Sequence, residues 1–192
     1  MKKILFLAIC LIGITSATFA QNDDRTPSIG AGFSFGGNIG THSSDIPVAS
    51  GVNLTFEYPI SGTQFSVLVK TGFTFYVSAN GYSTGYDTYD GGYSDGTLVS
   101  FAPLQVGAKY YVTDRIFVEG DAGVSFNLNS GSDYTSKKVA PLVSPSAGYT
   151  LPFGSTRFSV DMSIGYEDRI APSDDYYQYQ QIYFKATFNL GL

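Results

Sequence analysis

The chain has a single cysteine, Cys10, a single histidine, His42, and no tryptophan. One cysteine excludes a disulfide framework within the chain and a site built from several thiolates. Charge is scarce: Asp, Glu, Lys and Arg make up 14% of the 192 residues, against about 25% in ordinary globular domains. That scarcity argues against a coiled coil, a helical bundle or a charge-driven disordered chain. Positive charge is scarcer still. A formal net charge of −5 and a pI near 4.6 leave no basic face to meet phosphates, so no nucleic-acid partner is expected. Long hydrophobic runs are also missing. The longest covers residues 4–14 and is broken by Gly13, well short of the about 20 residues of a membrane-spanning helix.

That short run has a purpose of its own. Lys2 and Lys3 precede it, and Thr18 and Ala20 supply small residues at the −3 and −1 positions of a cleavage site. Residues 1–20 therefore read as a secretory signal peptide, residues 21–28 as a short N-terminal segment, and residues 29–192 as one domain. Cys10 falls inside the signal, so the mature chain is expected to have no cysteine at all.

Glycine (22), tyrosine (15) and phenylalanine (15) are plentiful, and they recur in a two-residue rhythm that marks strands with one apolar face. The end of the chain shows it best. Ile182, Phe184, Ala186, Phe188, Leu190 and Leu192 share one face, and Tyr183, Lys185, Thr187, Asn189 and Gly191 the other. Equivalent patterns begin near Ile29, Val52, Phe65, Leu104, Ile116 and Phe158. A further strand on Val143, Ala147, Tyr149 and Leu151 is interrupted by Pro145, and Pro103 stands at the start of the one containing Leu104. Proline cannot donate to a ladder, so a bulge or a late start is expected at both. Eight strands result. Their connections alternate between short (59–63, 113–115, 152–156) and long (41–50, 78–97, 129–138, 168–180).

The polar face is small and mixed in charge: Glu57, Lys70, Lys109, Glu119, Asp121, Asp161, Glu167 and Lys185 all fall on it. The apolar face carries no charge in these strands. Lipid outside and a narrow, ion-paired lumen inside would account for both, as would the alternation of turns and loops. The prediction is an all-β, eight-stranded antiparallel up-and-down transmembrane β-barrel. Eight strands enclose only enough room for side chains, so no wide pore is expected. Tyr58 and Tyr110 at turn-side ends, with Tyr76 and Tyr166 at loop-side ends, are expected to form interfacial girdles.

In these features the chain resembles the small eight-stranded outer-membrane barrels of Gram-negative bacteria, the OmpA/OmpX-like and porin-family proteins, and in style most of all their Bacteroidota members. The most family-like stretch is FAPLQVGAKYYVTDRIFVEGDAGVSF, residues 101–126. The final QIYFKATFNLGL resembles the C-terminal strand read by the outer-membrane assembly machinery, with Leu192 where an aromatic residue is usual. The resemblance implies a cell outer-membrane location, outer-membrane lipid and lipopolysaccharide as surroundings, the assembly machinery as a partner during biogenesis, and a monomer.

Chemistry is hard to find. His42 beside Ser43 and Ser44 lacks an orienting third group for nucleophilic catalysis. Asp87, Asp90 and Asp95 lack calcium-loop spacing. Gly30-Ala31-Gly32 lies within a strand and lacks the remainder of a dinucleotide fingerprint. No catalytic residue, cofactor or metal is predicted. The lumen carboxylates Glu119 and Asp121 are expected to be neutralised by neighbouring lysines. The distinctive segment is the second long loop, with Tyr82, Tyr86, Tyr89 and Tyr93 among Gly, Ser and Asp; Tyr176 and Tyr177 stand in the fourth. Such composition suits adaptable recognition surfaces, with an unidentified external ligand. The functional expectation is a structural, envelope-maintenance or surface-recognition role. The alternatives are a narrow channel for small solutes and a secreted lipocalin-like binder.

Overall fold

The computed structural model of the chain describes residues 25–40, 43, 47–77, 98–128, 138–154, 157–170 and 179–192. Eight strands follow in order: β1 (Ser28–Asn38), β2 (Val48–Pro59), β3 (Phe65–Val77), β4 (Leu98–Tyr111), β5 (Ile116–Asn127), β6 (Val139–Pro152), β7 (Phe158–Arg169) and β8 (Tyr179–Gly191). Each pairs antiparallel with its sequence neighbour, and β1 closes on β8 from Ser28↔Gly191 to Asn38↔Gln181. Closure leaves no edge with unpaired backbone groups, the condition for strands to cross hydrocarbon. The shortest strand has 11 residues. At about 3.3 Å per residue and a tilt near 40°, it spans about 28 Å, enough for an apolar band about 25 Å tall.

The barrel is inverted relative to a soluble one. Val52, Leu54, Val106, Ile164, Phe33 and Phe188 point outward with at least half of their surface exposed, while Lys70, Lys109, Glu119, Asp121 and Arg169 are buried within. A lipocalin-like binder needs the opposite arrangement, so this inversion contradicts that alternative. Among the described strands, alternation puts a single charged residue on the outer face, Asp168, at the loop-side end of β7.

Local chemistry explains the three short turns. Gly62 and Gly154 adopt positive φ (72° and 58°), which glycine reaches without steric cost. Between β4 and β5, the Thr113 hydroxyl accepts from the backbone N–H of Arg115 (3.3 Å) and Ile116 (3.0 Å), fixing that turn through its own side chain.

The prolines behave differently from expectation. Neither produces a bulge, and β4 starts well before Pro103, at Leu98. Pairing of β3 with β4 lapses between Thr71↔Leu104 and Thr74↔Phe101, then resumes in the same register. Pairing of β6 with β7 lapses in the same way between Val143↔Asp168 and Ser146↔Gly165. On their other sides, Pro103↔Ser125 and Pro145↔Gly120 lie in unbroken ladders. An antiparallel residue directs its N–H and C=O to one neighbour only, so each proline costs pairing on that side alone. Beside Pro103 the Thr71 hydroxyl donates to the freed proline carbonyl (3.0 Å).

Candidate functional site: the lumen

The inward positions form three tiers of ion pairs along the barrel. The tier nearest the short turns is centred on Lys109, which is 1% exposed. Its Nζ lies 2.9 Å from Glu57 and 2.6 Å from Asp161. The Tyr111 hydroxyl donates to Glu57 (3.1 Å) and the Thr150 hydroxyl to Asp161 (2.7 Å). The middle tier joins Lys70 to Glu119 and, at 2.8 Å, to Asp121; Lys185 reaches Glu119 at 3.2 Å and the Ser146 hydroxyl donates to the same carboxylate. Nearest the long loops, Arg169 pairs with Glu167 (2.8 Å), donates through Nε to Ser125 (3.1 Å) and through Nη1 to the Tyr76 hydroxyl. Gln181 donates to Glu167 at 2.7 Å.

These contacts answer the cost of burial. An ion taken out of water without a partner costs several kcal/mol, and partners with satisfied lone pairs offset it. Glu119 lies within reach of two ammonium groups, and each carboxylate in the turn-side tier accepts a hydroxyl as well as Lys109.

Aromatic rings close the column at both ends. On the loop side Tyr76, Phe101 and Tyr179 pack with Ala49 and Val99, ring centroids 4.9–5.8 Å apart. Arg169 lies 4.6 Å from the Phe101 centroid and 5.2 Å from that of Tyr76, close enough for cation–π attraction. On the turn side Tyr111 and Phe117 meet at 6.0 Å, with Lys109 4.8 and 4.3 Å from their respective centroids. Between these ends, a void lined by Lys70, Gln105, Asp121, Gln181 and Lys185 measures about 40 Å³, room for one or two waters. Gln105 Nε2 and Asp121 Oδ1, both on its wall, have no protein partner, as polar atoms that meet water would have.

All eight charged residues read from the sequence lie inside, divided among the three tiers. Arg169 was missed. The alternating pattern ends at Glu167, and the charged Asp168 and Arg169 read as loop, whereas β7 runs on to Arg169. Tyr76 requires a correction too. It faces the lumen with no exposed surface and so belongs to the loop-side plug, not to an interfacial girdle. Its hydroxyl meets Arg169 there. Tyr82, Tyr86, Tyr89, Tyr93, Tyr176, Tyr177 and His42 lie outside the described residues. Among the described residues, no group of three or more His, Cys, Asp or Glu is arranged to hold a metal ion.

No model of a known protein family matches the chain, and no curated protein matches it. Solved structures do. The chain is similar to Neisserial surface protein A, NspA, at 13% identity and a TM-score of 0.56, over 86% of this chain and 97% of that one. Weaker likenesses join it to Ail, the attachment invasion locus protein of Yersinia pestis (15% identity, TM-score 0.49, 86% and 99% covered), and to the N-terminal β-barrel domain of Pseudomonas aeruginosa OprF (11%, 0.48, 86% and 98%). The likeness to NspA joins the barrel's own closure and inversion. By both, the chain has the fold of the small eight-stranded outer-membrane β-barrels.

Proposed function

We propose that this protein is exported by a signal peptide at residues 1–20 and resides in the outer membrane, where it serves as a non-conducting, non-catalytic barrel that holds long loops at the cell surface. The observation that carries this reading is the filled lumen. Three tiers of ion pairs lie between two aromatic plugs, and the voids described among them, about 40 and 10 Å³, are only water-sized. A barrel organised in this way suits support and display better than passage of solutes. The loops are where recognition would reside. Tyr82, Tyr86, Tyr89 and Tyr93, with Tyr176 and Tyr177, sit in polar segments whose composition suits contact with a glycan, a host protein or another envelope component. Lipid and lipopolysaccharide surround the belt in this reading, the assembly machinery inserts the barrel, and the protein acts as a monomer.

Two measurements test the proposal together. Tyr86→Cys in the outer-membrane fraction should react with a membrane-impermeant maleimide on intact cells. The purified barrel in planar bilayers should give no steady conductance. Failure to label intact cells would refute surface display. A unitary conductance abolished by changing Lys109 or Glu119 would instead establish a narrow channel.

A further inference from the structure

Among the described residues, the charges of the lumen do not balance. Five carboxylates (Glu57, Glu119, Asp121, Asp161 and Glu167) face four cations (Lys70, Lys109, Lys185 and Arg169). The middle and loop-side tiers are each neutral. The surplus negative charge belongs to the turn-side tier, where Lys109 alone serves both Glu57 and Asp161.

A cation is present just beyond that tier, outside the strands. Arg25 precedes β1 in the N-terminal segment, and its guanidinium carbon lies 4.1 Å from the Tyr111 ring centroid. That ring belongs to the turn-side plug, and its hydroxyl donates to Glu57. Arg25 Nη2 donates to the Thr63 carbonyl in the β2–β3 turn (3.4 Å), and Nη1 is buried with no hydrogen-bond partner, as a nitrogen held against an aromatic face would be. Two residues on, the Pro27 carbonyl accepts from the backbone N–H of Leu192 (2.8 Å). The segment is thereby tied to the end of β8 while Arg25 reaches the opposite wall at Tyr111. A cleft of about 190 Å³ lies between Arg25, Pro27 and the β2–β3 turn, so on that side the Arg25 side chain makes the fastening contacts.

From this we infer that Arg25 is a latch: it covers the turn-side mouth of the lumen and supplies the positive charge that the turn-side tier lacks. Release of the guanidinium would uncover the turn-side tier with its surplus carboxylate charge, and the species admitted there would be small cations. The arrangement makes Arg25, just ahead of β1, part of the barrel's seal.

Ser66 provides a reporter. It faces inward on β3 opposite Lys109, has no exposed surface, and its hydroxyl has no hydrogen-bond partner, so Ser66→Cys removes no protein hydrogen bond. The chain from Gln21 contains no other cysteine. In folded barrels reconstituted in vesicles, Ser66→Cys should react slowly with methanethiosulfonate reagents. Adding Arg25→Ala should speed the reaction at least tenfold, more for a cationic reagent than for an anionic one of similar size. Arg25→Lys should fall between the two. Tyr111→Leu, which removes the ring and leaves Arg25 in place, should also speed it. Heat-dependent gel mobility identifies the folded fraction in each case. Equal rates with and without Arg25, or faster entry of the anionic reagent, would overturn the inference.

Discussion

Replacing Lys109 with methionine removes the one cation shared by Glu57 and Asp161, and the structure sets the scale of the damage. Lys109 is almost wholly enclosed, and the side chains of Glu57 and Asp161 keep only 9% and 13% of their surface. Breaking a buried pair by removing one partner costs about 3–5 kcal/mol, because a charge is left without compensation. Here two carboxylates are left, so Lys109→Met is expected at the upper part of that range. Methionine fills much of the same volume, so little of the loss comes from a cavity. The second half of the experiment separates charge from packing. Glu57→Gln and Asp161→Asn keep oxygens that accept from Tyr111 and Thr150. The triple variant should therefore recover to within about 1–2 kcal/mol of wild type, since neutral isosteres of a buried ion pair are often close to neutral in stability. The chain has no tryptophan, so urea titrations in lipid vesicles are best followed by circular dichroism and by gel mobility without boiling. A loss below about 1 kcal/mol for Lys109→Met, or a triple variant no more stable than the single one, would refute the reasoning.

Further outcomes rest on the same geometry. Val106→Arg, on an outward position with 58% exposure, should cost about 2–4 kcal/mol in a bilayer, the range for arginine near the midplane; urea titration in vesicles measures it. Gly123→Ala should destabilise by about 1–3 kcal/mol, because its methyl would land on the Leu104–Gln105 backbone of the next strand. Gly120→Ala, which faces open space, should be neutral or slightly stabilising in the same assay. Removing the loop-side cation with Arg169→Met should destabilise by about 3 kcal/mol or more, and Glu167→Gln in the same chain should restore part of the loss, as a double-mutant cycle would read.

Much of this architecture was legible because a strand's period is two. Once Val67 and Val69 are placed outward, Lys70 has no choice of face, and the same holds for Lys109 beside Ala108 and Tyr110. The small size of the lumen was legible in the glycines. Gly72 and Gly123 face inward where the neighbouring strand's backbone already occupies the position of a side chain. Strand ends were harder. Asp168 and Arg169 look like loop residues because both are charged, yet Arg169 finds Glu167, Ser125 and Tyr76 inside the barrel. Tyr76 could serve equally at a lipid interface or within a plug, since its ring is apolar and its hydroxyl polar. The prolines misled because sequence does not show which neighbouring strand a residue's N–H would face. Arg25 drew no notice, since one cation outside the strands acquires meaning only when the charges across eight strands are counted together.

The central claim is that the apolar face of the sheet lies in lipid and the charged face lies inside. Its most direct test uses a spin label on the cysteine-free chain from Gln21, reconstituted in vesicles, at Val106→Cys on the belt. At Val106 the account predicts frequent collisions with oxygen, which concentrates in hydrocarbon, and few with a water-soluble nickel chelate. A label at Val106 that meets the nickel chelate freely would place that face in water and contradict the account.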